Sequence, residues 1–170
     1  DLRPEKGGLF DERVTGGTDG DKWSFFELAE ELPNPLFEDA ILNLTGMGKK
    51  EYLDIVKGEK KLNGKTGGEA IGELLRTIDV TKERKKLEKQ IKTAKTSKLD
   101  KINKKLKILR VLDDNEMNAD VYMMKSVPIM PPEFRPITVK DNGDLSTDDM
   151  NSLYKDVGIV NEALTLNKKA

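Results

Sequence analysis

The sequence predicts a mainly helical α+β chain with a small antiparallel sheet, and three observations predict it. Apolar residues recur at three- and four-residue spacing through most of 34–113. One short run, VYMMKSVPIM at 121–130, has the composition of a strand. Charged residues make up 36% of the 170, matching the apolar 36%, so much of the chain must be solvated surface. That length holds one domain with a real core, or two small ones.

Residues 1–33 read as a loop-rich segment, rich in Gly, Asp and Thr as far as 24, with Leu9, Phe10, Val14 and Trp23 as apolar anchors. Asn34 and Pro35 signal a helix start, because Asn caps free amides and Pro suits the first helical position. Leu36, Phe37, Ala40, Ile41 and Leu44 then form one apolar face, ended by Gly46. Residues 49–57 give a second short helix stopped by Gly58, and the Gly- and Lys-rich stretch 58–68 reads as a loop. Beyond it Ala70, Ile71, Leu74, Leu75 and Ile78 lie at helical spacing, completing a helical core over 34–80.

The segment 81–113 predicts a basic helical hairpin. Leu87, Ile91 and Ala94 line one helix, Lys95, Thr96 and Ser97 interrupt, and Leu99, Ile102, Leu106 and Leu109 line the return. Two helices of about four turns, roughly 20 Å each, fold back on a seam too thin to be a globular core. The strand follows within 121–138, stopped by Pro131 and Pro132 because proline cannot donate to a ladder. Ser146 or Thr147 caps a last helix over 147–166, with Met150, Leu153, Tyr154 and Val157 inward.

The chain has no cysteine and no histidine, which excludes disulfides, thiolate chemistry, imidazole bases and nearly every structural zinc site. Asp141, Asp144, Asp148 and Asp149 suggest a calcium loop, but their spacing fails the EF-hand pattern and aspartate near a helix start is expected from capping. The pairs Gly7-Gly8, Gly16-Gly17 and Gly67-Gly68 lack the setting of a phosphate loop and read as turn punctuation. Autonomous catalysis is therefore not expected, nor is a metal in this chain. No run of about 18 apolar residues and no basic-then-apolar leader occurs, so the chain reads as soluble and cytoplasmic. Starting at Asp1 and ending in NKKA, it reads as an excised part of something longer.

Net charge is −1, yet charge is segregated: Lys82 to Arg110 holds 13 basic against 3 acidic residues, a local +10 that leaves −11 elsewhere. Lys82, Lys85, Lys89 and Lys92 follow 3-4-3 spacing on one helix face. Such a row either neutralises phosphates without regard to sequence or is a solvated helix face.

The stretch 127–154 goes further. Pro131-Pro132-Glu133-Phe134-Arg135-Pro136, then Asp141-Asn142-Gly143-Asp144-Leu145, then Thr147-Asp148-Asp149-Met150-Asn151-Ser152-Leu153-Tyr154 resembles, in order and without a gap, the N-terminal clamp region of the largest (β′) subunit of multisubunit DNA-directed RNA polymerases. There Pro-Pro-Asp-Leu-Arg-Pro leads through Asp-Gly-Gly-Arg-Phe into Thr-Ser-Asp-Leu-Asn-Asp-Leu-Tyr. GGEAIGELLRTIDV resembles the family's Gly-Ala-Glu-Ala-Ile helix, GGLFDERV its Gly-Leu-Phe element, and WSFFELAEELPNP the segment carrying Glu27-Leu28-Ala29.

The resemblance implies a single clamp-like domain over 1–170 that is non-catalytic within a nucleotidyltransferase. The loop 139–146, with Asp141, Asn142, Gly143, Asp144 and Leu145 at its tip, would be the lid beside the upstream end of the RNA–DNA hybrid. Pro131, Pro132 and Pro136 would brace its approach, since proline fixes φ and restricts the residue before it. Residues 147–166 would begin the clamp coiled coil, where initiation factors such as sigma dock. Expected partners are DNA, the hybrid and other polymerase subunits, with no membrane; Mg2+ would act elsewhere in the parent enzyme. Expected nucleic-acid contacts are Arg135, a structural brace first, with Lys140, Asn142, Asn161 and the lysine row.

Departures are as informative. The family's four-cysteine zinc ribbon is replaced by about 17 residues without cysteine, so no zinc is expected. Asp144 stands where the family's lid carries arginine, and its Asp-Phe-Asp-Gly-Asp metal loop is absent. So reduced a version suggests a bacteriophage or mobile-element polymerase acting in an infected host cell. The alternative is a free-standing coiled-coil adaptor or nucleic-acid-binding protein that regulates transcription.

Overall fold

The computed structural model describes residues 6–169; the first five residues of the loop-rich segment and residue 170 lie outside them. The chain divides into two compact units, Glu30–Met124 and the segments on either side of it, and the divide falls within two strands. These are β1 (Ser24–Pro33) and β2 (Met123–Ile129), which form a two-stranded sheet.

In the Glu30–Met124 unit, Asn34 caps a 3₁₀ turn, Pro35–Phe37, its side chain accepting from the Leu36 N–H at 3.0 Å. Helix α2 (Glu38–Thr45) follows and ends on Gly46 at φ +71°. Helices α3 (Lys49–Val56) and α4 (Gly67–Arg76) are joined through Asn63 and Gly64, both at positive φ, in a two-residue turn closed by Leu62 and Lys65. Helices α5 (Val80–Gln90) and α6 (Thr96–Asp114) pack against each other. At 11 and 19 residues they are less equal than the spacing suggests. One apolar cluster unites Ile41, Leu44, Tyr52, Ile55, Ile71 and Leu75 with Leu87, Leu106, Leu109 and Leu112. The seam of α5 and α6 is thus part of a globular core: α2 covers the α6 leucines, a long-range contact that periodicity along one helix cannot reveal.

The other unit holds the four-residue helix α1 (Glu12–Thr15), the 3₁₀ turn Pro132–Phe134, strands β3 (Ile137–Val139) and β4 (Leu145–Thr147), and helix α7 (Asp149–Lys169). Its interior combines Phe10, Ile129, Pro131 and Tyr154 with the buried polar side chains Asp11, Thr15, Arg135 and Asn151.

Four expectations are corrected. Residues 24–33 are strand, because β2 supplies ladder partners nearly a hundred positions away. Val14, Trp23 and Leu36 are exposed rather than anchoring. The last helix is capped by Asp148, whose Oδ1 accepts from the Met150 N–H at 2.9 Å; Ser146 and Thr147 belong to β4. On α7 Tyr154 and Asn151 face inward while Leu153 and Val157 are exposed.

Candidate nucleic-acid interface

Strands β3 and β4 form a short antiparallel hairpin, pairing Ile137 with Thr147, Thr138 with Ser146 and Val139 with Leu145. The turn between them is built for tightness. The Lys140 N–H donates to the Asp144 carbonyl at 2.7 Å and the Gly143 N–H to the Lys140 carbonyl at 2.8 Å. Gly143 sits at φ +83°, a region in which a side chain is strained. Asn142 spans the turn, its Oδ1 accepting from the Asp144 N–H at 3.0 Å and its Nδ2 donating to Asp144 Oδ2 at 2.7 Å. Residues 138–145 are all exposed.

The root of this hairpin is buried. Pro131 and Pro132 lead into the 3₁₀ turn inside the unit, and the Glu133 N–H donates to the Gly20 carbonyl at 3.1 Å. Pro136, exposed, enters β3. Arg135 between them is 0% exposed. Its Nε donates to the Met130 carbonyl at 2.9 Å, Nη1 to Asn151 Oδ1 at 2.9 Å, and Nη2 to the Leu9 carbonyl. The guanidinium lies over the Phe10 ring at 4.7 Å and beyond it faces Tyr154 at 5.9 Å. Among the described residues no carboxylate pairs with it; carbonyl dipoles and ring faces replace a counterion. Burial pulls the guanidinium pKa below its ordinary value, an effect the Tyr154 phenol opposes. The bracing expected of Arg135 has this geometry. A phosphate contact does not, because no guanidinium edge reaches solvent.

Asn161 is corrected similarly. Its Oδ1 accepts from the Ala29 N–H at 2.6 Å and its Nδ2 donates to the Glu27 carbonyl at 2.8 Å, so the amide mimics a strand partner along β1. Lys168 adds a bond to the Ala29 carbonyl at 2.9 Å. Both ends of the Asn161 amide are thus engaged by the β1 backbone.

In the Glu30–Met124 unit Lys82, Lys85 and Lys89 are exposed on α5, while Lys92, expected on the same helix face, is exposed in the turn after it because the helix ends at Gln90. Their neighbours are neutralised. Arg84 bonds Asp114 at 2.6 Å, Glu88 at 3.2 Å and Asp113 at 3.0 Å, and these carboxylates, Asp114 foremost, raise its pKa. Arg84 and then Arg110 hold the Glu88 carboxyl below its usual value. Glu83 takes Lys105 at 3.4 Å and Lys86 at 3.6 Å. Among the described residues none of the four row lysines makes such an ion pair, so their charge stays available.

Asn151, Thr147, Tyr154 and Phe10 complete the hairpin's root, a role that motif and spacing alone do not assign to them. The available signal was a polar pair, Thr147 and Asn151, four apart on what must be an inward face; in the structure Asn151 Nδ2 donates to Thr147 Oγ1 at 2.6 Å. Among the described residues no group of three acidic, Cys or His side chains could hold a metal ion, and no helix is long and apolar enough to cross a membrane.

No family model matches the chain. It is similar to the β′ subunit of DNA-directed RNA polymerase from Lactobacillus acidophilus, with 35% identity over 97 residues, 57% of this chain and 8% of the relative. The β′ subunit from Thermoanaerobacter sp. is 32% identical over 108 residues, 64% of this chain and 9% of the relative. For Finegoldia magna the figures are 30% over 114 residues, 67% and 10%. The chain therefore spans about a tenth of the length of the curated relatives it matches. The resemblance read from the motifs is borne out: this mainly helical α+β chain is a β′-like segment. These relatives are bacterial, and the expected phage source gains no support from them.

Proposed function

We propose that the chain is a non-catalytic clamp and lid part of a β′ subunit, holding DNA and the RNA–DNA hybrid while a parent DNA-directed RNA polymerase adds nucleotides. One observation carries this reading: an exposed hairpin rooted on the fully buried Arg135, at the position where the β′ motifs have their lid. A wedge between strands must not flex at its mount. Prolines with fixed φ and an arginine held by three acceptors supply that stiffness. Nucleotidyl transfer with magnesium is the work of other parts of the enzyme, and other polymerase subunits are partners. The lysines of α5 and of the turn after it serve as a sequence-blind contact to duplex phosphates.

On α7 the apolar residues Leu153, Val157, Val160 and Leu164 recur at 4-3-4 spacing and are exposed. That pattern suits a coiled-coil seam, covered by a returning helix and offering a dock to a sigma-like initiation factor. It also favours the second reading, a coiled-coil adaptor.

A photo-crosslinking residue at Asn142 of the full chain separates the two. The polymerase reading expects crosslinks to nucleotides at the upstream edge of an RNA–DNA hybrid in an open bubble. Crosslinks to protein alone, with none to nucleic acid, would sink it in favour of the adaptor.

A further inference from the structure

The chain's single tryptophan and one of its five phenylalanines lie in water, two positions apart. Trp23, directly before β1, is 58% exposed and Phe25 67%. Glu27 follows at the same spacing and is exposed, whereas Ser24 is buried and Phe26 and Leu28 are half-buried. Alternate residues of an extended chain share a face, so Trp23, Phe25 and Glu27 form one outward row at steps of about 7 Å. From Asp19 to Glu27 three carboxylates stand against Lys22 alone, a net −2, and among the described residues none of the three makes an ion pair. The row is held at both ends: the Lys22 N–H donates to the Thr15 carbonyl at 3.3 Å, and the Asn161 amide grips the Glu27 carbonyl and the Ala29 N–H.

We propose that this row is a docking site for an arginine-bearing segment of a partner protein, with a guanidinium stacked on the Trp23 and Phe25 rings and paired with the Glu27 carboxylate. Arginine fits because its guanidinium is planar, weakly hydrated and able to stack on a ring while its edge N–H groups fork onto a carboxylate. The chain already uses half of this geometry in its interior, where the Arg135 guanidinium lies over Phe10 at 4.7 Å. Charge selects among the occupants of an aromatic face. Nucleic-acid bases also stack on such rings, but their phosphates would meet Asp19, Asp21 and Glu27. A neutral apolar partner would cover the Glu27 carboxylate without pairing it. The row is fixed in advance, so little ordering entropy opposes a small contact. This docking is independent of the clamp and lid function proposed above.

Trp23, as the sole tryptophan, reports its own occupancy. The full chain is titrated with a blocked peptide of alternating glycine and arginine, which has no aromatic residue, while Trp23 emission is followed. Emission should change and saturate, and added salt should weaken binding because the site is exposed. The same peptide with citrulline, equal in shape but uncharged, should give no saturation. Glu27→Gln and Phe25→Thr, both at exposed strand positions and checked by circular dichroism, should each weaken binding about two- to fivefold, the worth of one exposed ion pair or one exposed cation–π contact. A citrulline peptide that saturates equally, an arginine peptide that never saturates, or full affinity in both variants overturns the proposal. So does a stronger response to oligothymidine, which would assign the rings to bases, or a change with chain concentration alone, which would seat a second copy there.

Discussion

Arg135 and Asn151, sixteen positions apart, hold each other twice: the arginine Nη1 donates to Asn151 Oδ1 at 2.9 Å, and Asn151 Nδ2 donates to the Arg135 carbonyl at 3.0 Å. Backbone and side chain of one residue are thus locked to a single amide on α7. Removing either partner strands buried polar groups of the other. Asn151→Ala should cost about 1–3 kcal/mol in urea denaturation, and Arg135→Met about 2–4 kcal/mol because three acceptors lose a shared donor. Arg135→Lys should not rescue, since a single ammonium cannot span the separated Leu9, Met130 and Asn151 oxygens. A double-mutant cycle with no coupling would show that the pair is not a unit.

Asp11 supplies a pH signature. It is buried at 4% exposure, and the Arg13 guanidinium, the Gly7 N–H at 2.7 Å and the Arg13 N–H at 3.0 Å hold its carboxyl at about 2, below the usual 3.8, although burial pulls it upward. Because the folded value lies below the unfolded one, the unfolded chain takes up the proton first as pH falls. The contribution is therefore complete above about pH 4 and is lost as pH drops towards 2. Asp11→Asn should flatten the fall of the urea midpoint across that window. An unaltered profile would mean that Asp11 is not the group titrating.

Gly68 and Gly72, one turn apart on α4, meet the same residue differently. A methyl group at Gly68 would overlap the backbone carbonyl of Glu31, while one at Gly72 would overlap its carboxylate, which Arg76 holds. A backbone cannot swing aside, so Gly68→Ala should destabilise the Glu30–Met124 unit by about 1–3 kcal/mol. A side chain can. Gly72→Ala should lose at most an exposed ion pair of about 0–1 kcal/mol and regain up to about 1 kcal/mol of helix propensity, for a net effect near zero. Thermal melts that rank the two variants the other way would contradict this packing of α4 on β1.

These glycines also show where the sequence stops being legible. Helices α2, α3 and α4 can be read because their apolar spacing, the Asn34 cap and Gly46 and Gly58 are local signals. Strand β1 cannot, because SFFELAEELP becomes strand through β2 and through α4 packing on Glu31. Gly67-Gly68 reads as turn punctuation, which suits Gly67 at φ +69°, but the close approach that demands Gly68 is tertiary. At the candidate site, the exposed tip and the lysine face follow from motif and spacing. The burial of Arg135 does not, since charged side chains are rarely buried and only the fold brings Leu9, Phe10 and Asn151 around it.

The lysine row gives the most direct contest between function and surface chemistry. Lys86 and Lys105 are tied to Glu83 and Arg84 is saturated by acids, whereas Lys82, Lys85 and Lys89 on α5 and Lys92 in the turn after it are exposed and make no ion pair among the described residues. A helix that only needed solubility could pair all its charges at i, i+4, so leaving one face cationic suits a polyanion. If Lys85, Lys89 and Lys92 each touch a phosphate, replacing all three by Gln should lower the slope of log K against log salt by about 2.7 for duplex DNA. The loss should be alike for unrelated sequences, because phosphates carry no base information. Lys86→Gln with Lys105→Gln should change the slope far less, as those charges are already countered by Glu83. An unchanged slope in the triple variant, measured by fluorescence anisotropy between 50 and 200 mM salt, would return the row to an ordinary hydrated helix face.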